Sequence, residues 1–153
     1  MTRVTLLVMV AMLAAPVLAW NPLVRRSNGS LRRDTASAVV WNPDGGTLGK
    51  LSNAAAVQMV VDEIGKWQAV PIAVISYAQG GQIIDPDTGS PTDVTSANYN
   101  DVMNADNGQN PIIFDNDRDI FDLLGEPSGV LGFAGVLRAS GTTITKGYAV
   151  FLR

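Results

Sequence analysis

Histidine and cysteine are both missing from this chain of 153 residues. Without histidine there is no imidazole base and no histidine-ligated metal. Without cysteine there is no thiolate nucleophile, no Cys zinc site and no disulfide. An exported fold built this way rests on its apolar core, on a bound ion or on further chain. Charge is sparse, at 16% of residues, and from Asp34 onward 6 Lys and Arg stand against 14 Asp and Glu. An acidic body argues against nucleic acid as a partner, because phosphate binding needs clustered cations. Long apolar runs are also lacking, except for one at the start.

That run, Val4 to Leu18, follows Arg3 and ends Val17-Leu18-Ala19, small residues suited to a signal-peptidase cut. It falls short of the roughly 20 residues that span a bilayer. Residues 1–19 are therefore read as a cleaved signal peptide. The mature chain, from Trp20, is expected to be secreted or periplasmic, with no membrane attachment after cleavage. Residues 20–37 carry Arg25, Arg26, Arg32 and Arg33 and are read as a basic, flexible N-terminal segment.

The rest, residues 38–153, has the pattern of one domain. Ala38-Val39-Val40-Trp41 is a short strand, stopped by Asn42-Pro43-Asp44-Gly45-Gly46. Ser52 or Asn53 caps a helix in which Val57, Val60, Val61, Ile64 and Trp67 form one apolar stripe, with Trp67 expected in the core. Pro71 ends it. Ile72 to Tyr77 is rich in β-branched residues and reads as a strand. The polar stretch from Gln79 to Asn110 is long for a plain connection, so it is either a functional loop or holds a short element. Pro111 to Phe114, Val130 to Leu137 and Thr142 to Leu152 complete the strands. The order predicts an α/β (α+β) fold: a mixed, mostly parallel twisted sheet of about five strands with one long helix packed on it.

Val40-Trp41-Asn42-Pro43-Asp44-Gly45-Gly46, the helix from Ser52 to Trp67, Asn110-Pro111-Ile112-Ile113-Phe114-Asp115 and Gly129-Val130-Leu131-Gly132-Phe133-Ala134-Gly135 come in the order seen in exported bacterial matrixin-like proteins. The chain thus resembles the N-terminal part of a zinc metallopeptidase of the metzincin class. The resemblance implies an incomplete zincin-like domain, the upper sheet subdomain. It also implies zinc in the full-length family member, held by H-E-x-x-H-x-x-G-x-x-H on a helix that would follow Arg153. This chain holds no part of that site and is not catalytically competent by itself. In metzincins the fourth strand is an antiparallel edge along which the peptide substrate pairs. The matching residues are Leu131, Gly132, Phe133, Ala134, Gly135 and Val136, and the implied partner is a peptide or protein substrate. No histidine near Phe133 offers a second, structural zinc site. The alternative is a complete, non-enzymatic secreted domain that binds a peptide or protein. Thr142 to Leu152 reaches the last residue but one, which favours a chain that continues.

One acidic pattern stands apart. Asp115, Asp117, Asp119 and Glu126 occupy positions 1, 3, 5 and 12 of an EF-hand-like loop, whereas position 6 is Ile120 instead of glycine. The flanks read as a strand and a loop, not as two helices. These four carboxylates are candidate calcium ligands in an irregular loop; a solvated acidic turn is the alternative. Other chemistries have little support. Any carboxylate pair among fourteen acids is too common to mark a glycosidase. Thr143 and Lys146 lie on opposite faces of a strand.

Overall fold

The computed structural model describes residues 37–71 and 75–153, together with the strand backbone at Arg25–Arg26, Gly29–Ser30 and Arg32–Arg33. The signal-peptide reading lies outside the described residues, as do Ile72 to Val74. Arg25–Arg26 (β1) and Gly29–Ser30 (β2) pair antiparallel, and Arg32–Arg33 (β3) runs parallel to the start of the last strand.

The domain follows as β4 (Val39–Pro43), α1 (Asn53–Gln68), β5 (Tyr77–Gln79), α2 (Tyr99–Asn104), β6 (Pro111–Asp115), α3 (Asp119–Leu124), β7 (Gly132–Ser140) and β8 (Thr143–Leu152). Five of these strands form a mixed sheet in the order β5-β4-β6-β8-β7. Four are mutually parallel; β7 is antiparallel to β8 and forms an edge. Parallel strands need both faces covered, and alternate residues of β6 and β8 do face opposite ways. Trp41 of β4, Phe114 and Phe151 pack against Ala56 and Val60 of α1. Ile113 and Val150 face Val102, Met103, Ile120 and Phe121 of α2 and α3.

The mixed, mostly parallel sheet agrees with its sequence pattern, but the helices and several boundaries differ. Three helices are present among the described residues. The polar stretch holds α2, and the segment after Asp117, read as loop, forms α3 because Ile120 and Phe121 are both fully buried. β4 continues through Asn42 and Pro43, whose turn-forming sequence had suggested an earlier stop. Asn42 N–H bonds Asn110 O and Asp44 N–H bonds Ile112 O, at 2.9 Å each, so the ladder to β6 carries the strand onward. β5 occupies Tyr77–Gln79, so Ile75 and Ser76 lie before it instead of within it.

Ser52 is the N-cap of α1, its Oγ accepting the Ala55 N–H at 3.4 Å. Ala56 and Val60 are buried, whereas Val57, Val61 and Ile64 are half-buried. Trp67 is a correction to the expected stripe: it is 73% exposed. Helical spacing put it in line with the apolar stripe, but the last turn of α1, from Gly65 on, is exposed all round.

Candidate functional site

Two features have the chemistry of a site. The first is the β7 edge. Of the residues expected to line it, Gly132 to Val136 lie in β7, while Leu131 directly precedes it and is 68% exposed. Among the described residues β7 pairs only with β8, so its other side has no strand partner. Leu131 is tied in by its carbonyl, which accepts the Leu152 N–H at 2.9 Å. Phe133 packs inward, its ring 5.0 Å from Phe121 and 6.0 Å from Tyr148. Gly132, Ala134 and Val136 alternate to the other face and are exposed. Ala134 and Val136 form one wall of an apolar groove of about 380 Å³ that reaches Ala149, Ile112, Tyr77 and Ile64. The groove is therefore the part of the α1-bearing face that α1 leaves open.

The second feature is acidic. Asp115 ends β6, Asp117 sits in the turn, and Asp119 opens α3. Arg118 between them has a φ of 73°, left-handed for a residue with a side chain, and turns the chain sharply. One oxygen from each of the three carboxylates lies within 4.8 Å of the others. Glu126 does not join them. Its backbone is engaged instead, the N–H on Phe121 O at 2.9 Å and the carbonyl accepting Arg118 Nη2 at 2.6 Å. A six-residue helix places it away from the position that an EF-hand spacing implies.

Burial separates the members of the cluster. Asp115 is 2% exposed; its Oδ2 accepts the Phe121 N–H at 3.0 Å, while Oδ1 is buried without a partner. Burial, reinforced by the charges of Asp119 and Asp117, pushes its carboxyl above the usual range despite that N–H. For Asp119, burial works in the same direction, but hydrogen bonds with Ser96, the Asp115 side chain and the Ile120 N–H together outweigh it and hold the carboxyl low. Ser96 N–H meets Asp119 Oδ2 at 2.7 Å.

Sequence reasoning missed two buried charges, Asp44 and Lys146, and an exposed carboxylate beside the cluster, Asp93. Asp44 was read as a turn residue, yet it is fully buried. Its Oδ1 accepts from Val94 N–H at 2.9 Å and Gly46 N–H at 3.3 Å, and its Oδ2 accepts from Phe114 N–H at 2.9 Å. Desolvation still pushes it up to about 6. Asp93, raised chiefly by partial desolvation of its carboxyl, adjoins both Asp44 and the acidic cluster. Lys146 is 3% exposed and donates to the carbonyls of Val102, Met103 and Ala105. The only signal in the sequence was a charged residue inside an otherwise apolar strand. Gly45 permits the Asp44 arrangement, because a Cβ there would sit 2.8 Å from the Thr92 carbonyl oxygen.

No family model, curated protein or solved structure matches this chain. The functional reading therefore rests on the residues and their geometry.

Proposed function

We propose that the chain is the N-terminal sheet portion of an exported, matrixin-like zinc endopeptidase, and that β7 aligns the peptide substrate as an added strand. The observation that carries this reading is the position of β7: an antiparallel strand at the edge of an otherwise parallel sheet, without a second strand partner among the described residues. Such an edge grips a peptide through main-chain hydrogen bonds whatever its sequence, which suits an endopeptidase. An ordinary protein covers or charges an edge of this kind to prevent aggregation. Here Gly132, Ala134 and Val136 present small or apolar side chains over the first half of the strand, and the charge Arg138 and the bulge beside it come only after them.

The groove beside α1 supports the same reading. It is apolar and floored by β6 and β8 with small residues, Ala134, Ala149 and Gly147, in its lining. A helix following Arg153 would pack across it and bring the zinc ligands to the substrate. The residues present do not fit zinc: no histidine or cysteine exists to bind it, so no hydrolytic step is assigned to this chain.

Amide hydrogen exchange with an extended, unstructured peptide tests the edge. Added peptide is expected to slow exchange of alternate amides in residues 132–140 by about tenfold or more at saturation. Protection elsewhere with β7 unchanged, or none up to millimolar peptide, would refute the assignment.

A further inference from the structure

We propose that β7 is also the contact between two copies of this chain, which pair β7 against β7 antiparallel about a two-fold axis at Ala134. Such pairing needs the free edge but no substrate, so it holds or fails apart from the peptide reading. The ladder to β8 fixes which groups are free. Leu152 N–H bonds Leu131 O at 2.9 Å, so Leu131 and Leu152 form a hydrogen-bonded pair. Such pairs alternate along an antiparallel ladder, and Phe133 with Val150 and Gly135 with Tyr148 continue the same register. Gly147 N–H points away from β7, to Asn110 Oδ1 at 2.9 Å, as that alternation requires. The N–H and C=O groups of Gly132, Ala134 and Val136 therefore point outward, away from β8. The run ends there, because the register shifts between Val136 and Arg138.

A run with this spacing is complementary to itself. Antiparallel pairing about Ala134 sets Gly132 of one copy opposite Val136 of the other, and Ala134 opposite Ala134. Each outward-facing residue meets another, which gives about six main-chain hydrogen bonds. A slip of one residue would set these free groups against groups already bonded to β8. Directly opposite side chains share a face of the sheet, so Val136 fits over Gly132 on one face and Phe133 lies opposite Gly135 on the other. Charge does not oppose the contact. Arg138 is the one charged residue of β7, and it is drawn to the end of α2, where it donates to Asn104 O and lies 3.6 Å from Asp106. Gly132, Ala134 and Val136 are exposed, so each copy presents its edge without rearrangement. A two-fold contact uses the free side of both β7 strands and closes at two copies. It covers the groups that a peptide would use, so the chain masks its own edge as its concentration rises.

Sedimentation velocity of the full chain from about 10 µM to 1 mM tests the pairing. A monomer–dimer equilibrium is expected. Over the same range, amide exchange at Gly132, Ala134 and Val136 should slow by about fivefold or more as concentration rises. Phe133 and Gly135, already bonded to β8, should not respond. Ala134 is exposed and sits on the axis, so Ala134→Lys or Ala134→Glu sets like charges face to face without disturbing the core. Each alone is expected to weaken association at least about fivefold, and an equimolar mixture of the two to restore it. A monomer throughout, exchange at these amides independent of concentration, or a mixture that associates no better than either variant alone would each overturn the assignment.

Discussion

Lys146 ties the long polar stretch to the sheet, and replacing it with methionine isolates that tie. The lysine Nζ donates to Ala105 O at 2.7 Å, Val102 O at 3.1 Å and Met103 O at 3.3 Å, so it closes the C-terminal end of α2 from a neighbouring strand. Those carbonyls point out of the last helical turn and have no partner from within α2. Burial lowers the lysine pKa, and repulsion from Arg138 adds to it. The ammonium therefore costs desolvation, which its three bonds must offset. Methionine keeps most of the apolar stem and removes the donor. Hydrogen bonds to a charged group contribute about 1.5–3 kcal/mol each, and a buried acceptor left without a donor costs about 1–3 kcal/mol. Setting the relieved desolvation of the ammonium against three lost bonds gives a net loss of about 2–4 kcal/mol. Urea denaturation at pH 7, followed by far-UV circular dichroism, measures it. Exchange of the α2 amides should quicken in the same variant, because α2 loses its anchor. Lys66→Met, on the exposed side of α1, should leave the midpoint unchanged. A loss below about 1 kcal/mol for Lys146→Met, with α2 exchange unaltered, would refute the reasoning.

Two further outcomes follow from the buried turn after β4. Asp44 has a folded pKa of about 6 against 3.8 for the ordinary group, so between those values the folded state holds the proton that the unfolded state has released. Its contribution is thus fully present below about pH 4 and lost as pH rises through 6, a swing of up to about 3 kcal/mol. Subtracting the urea stability of Asp44→Asn from that of the wild type across this range isolates it from the other carboxylates; a flat difference would contradict the sign. Gly45→Ala places a methyl against the Thr92 carbonyl and should cost about 1–3 kcal/mol, whereas Gly129→Ala, with open space around it, should be neutral; equal melting points for the two would contradict this.

Strand pattern was legible because β-branched runs and turn residues announce themselves locally. β6 and the second half of β8, Tyr148 to Leu152, are packed on both faces, and their apolar sequences reflect that. The short helices were not legible. Six residues give less than two turns, too few for a 3.6-residue period to stand out from a turn. Trp67 shows the converse limit: spacing fixes which side of a helix a residue takes, not how far the sheet beneath it extends. In the acidic cluster, alternate spacing identified Asp115, Asp117 and Asp119. Glu126 failed because α3 intervenes, and Asp44 and Asp93 escaped notice because they reach the same corner from distant parts of the chain.

The central claim is that these residues form the front of a zinc endopeptidase, and reading the source DNA through and past the codon for Arg153 tests it most directly. An open frame that reaches H-E-x-x-H-x-x-G-x-x-H soon after β8 is the expected result. A stop at that point in otherwise intact DNA would contradict it and favour the alternative of a non-enzymatic binding domain.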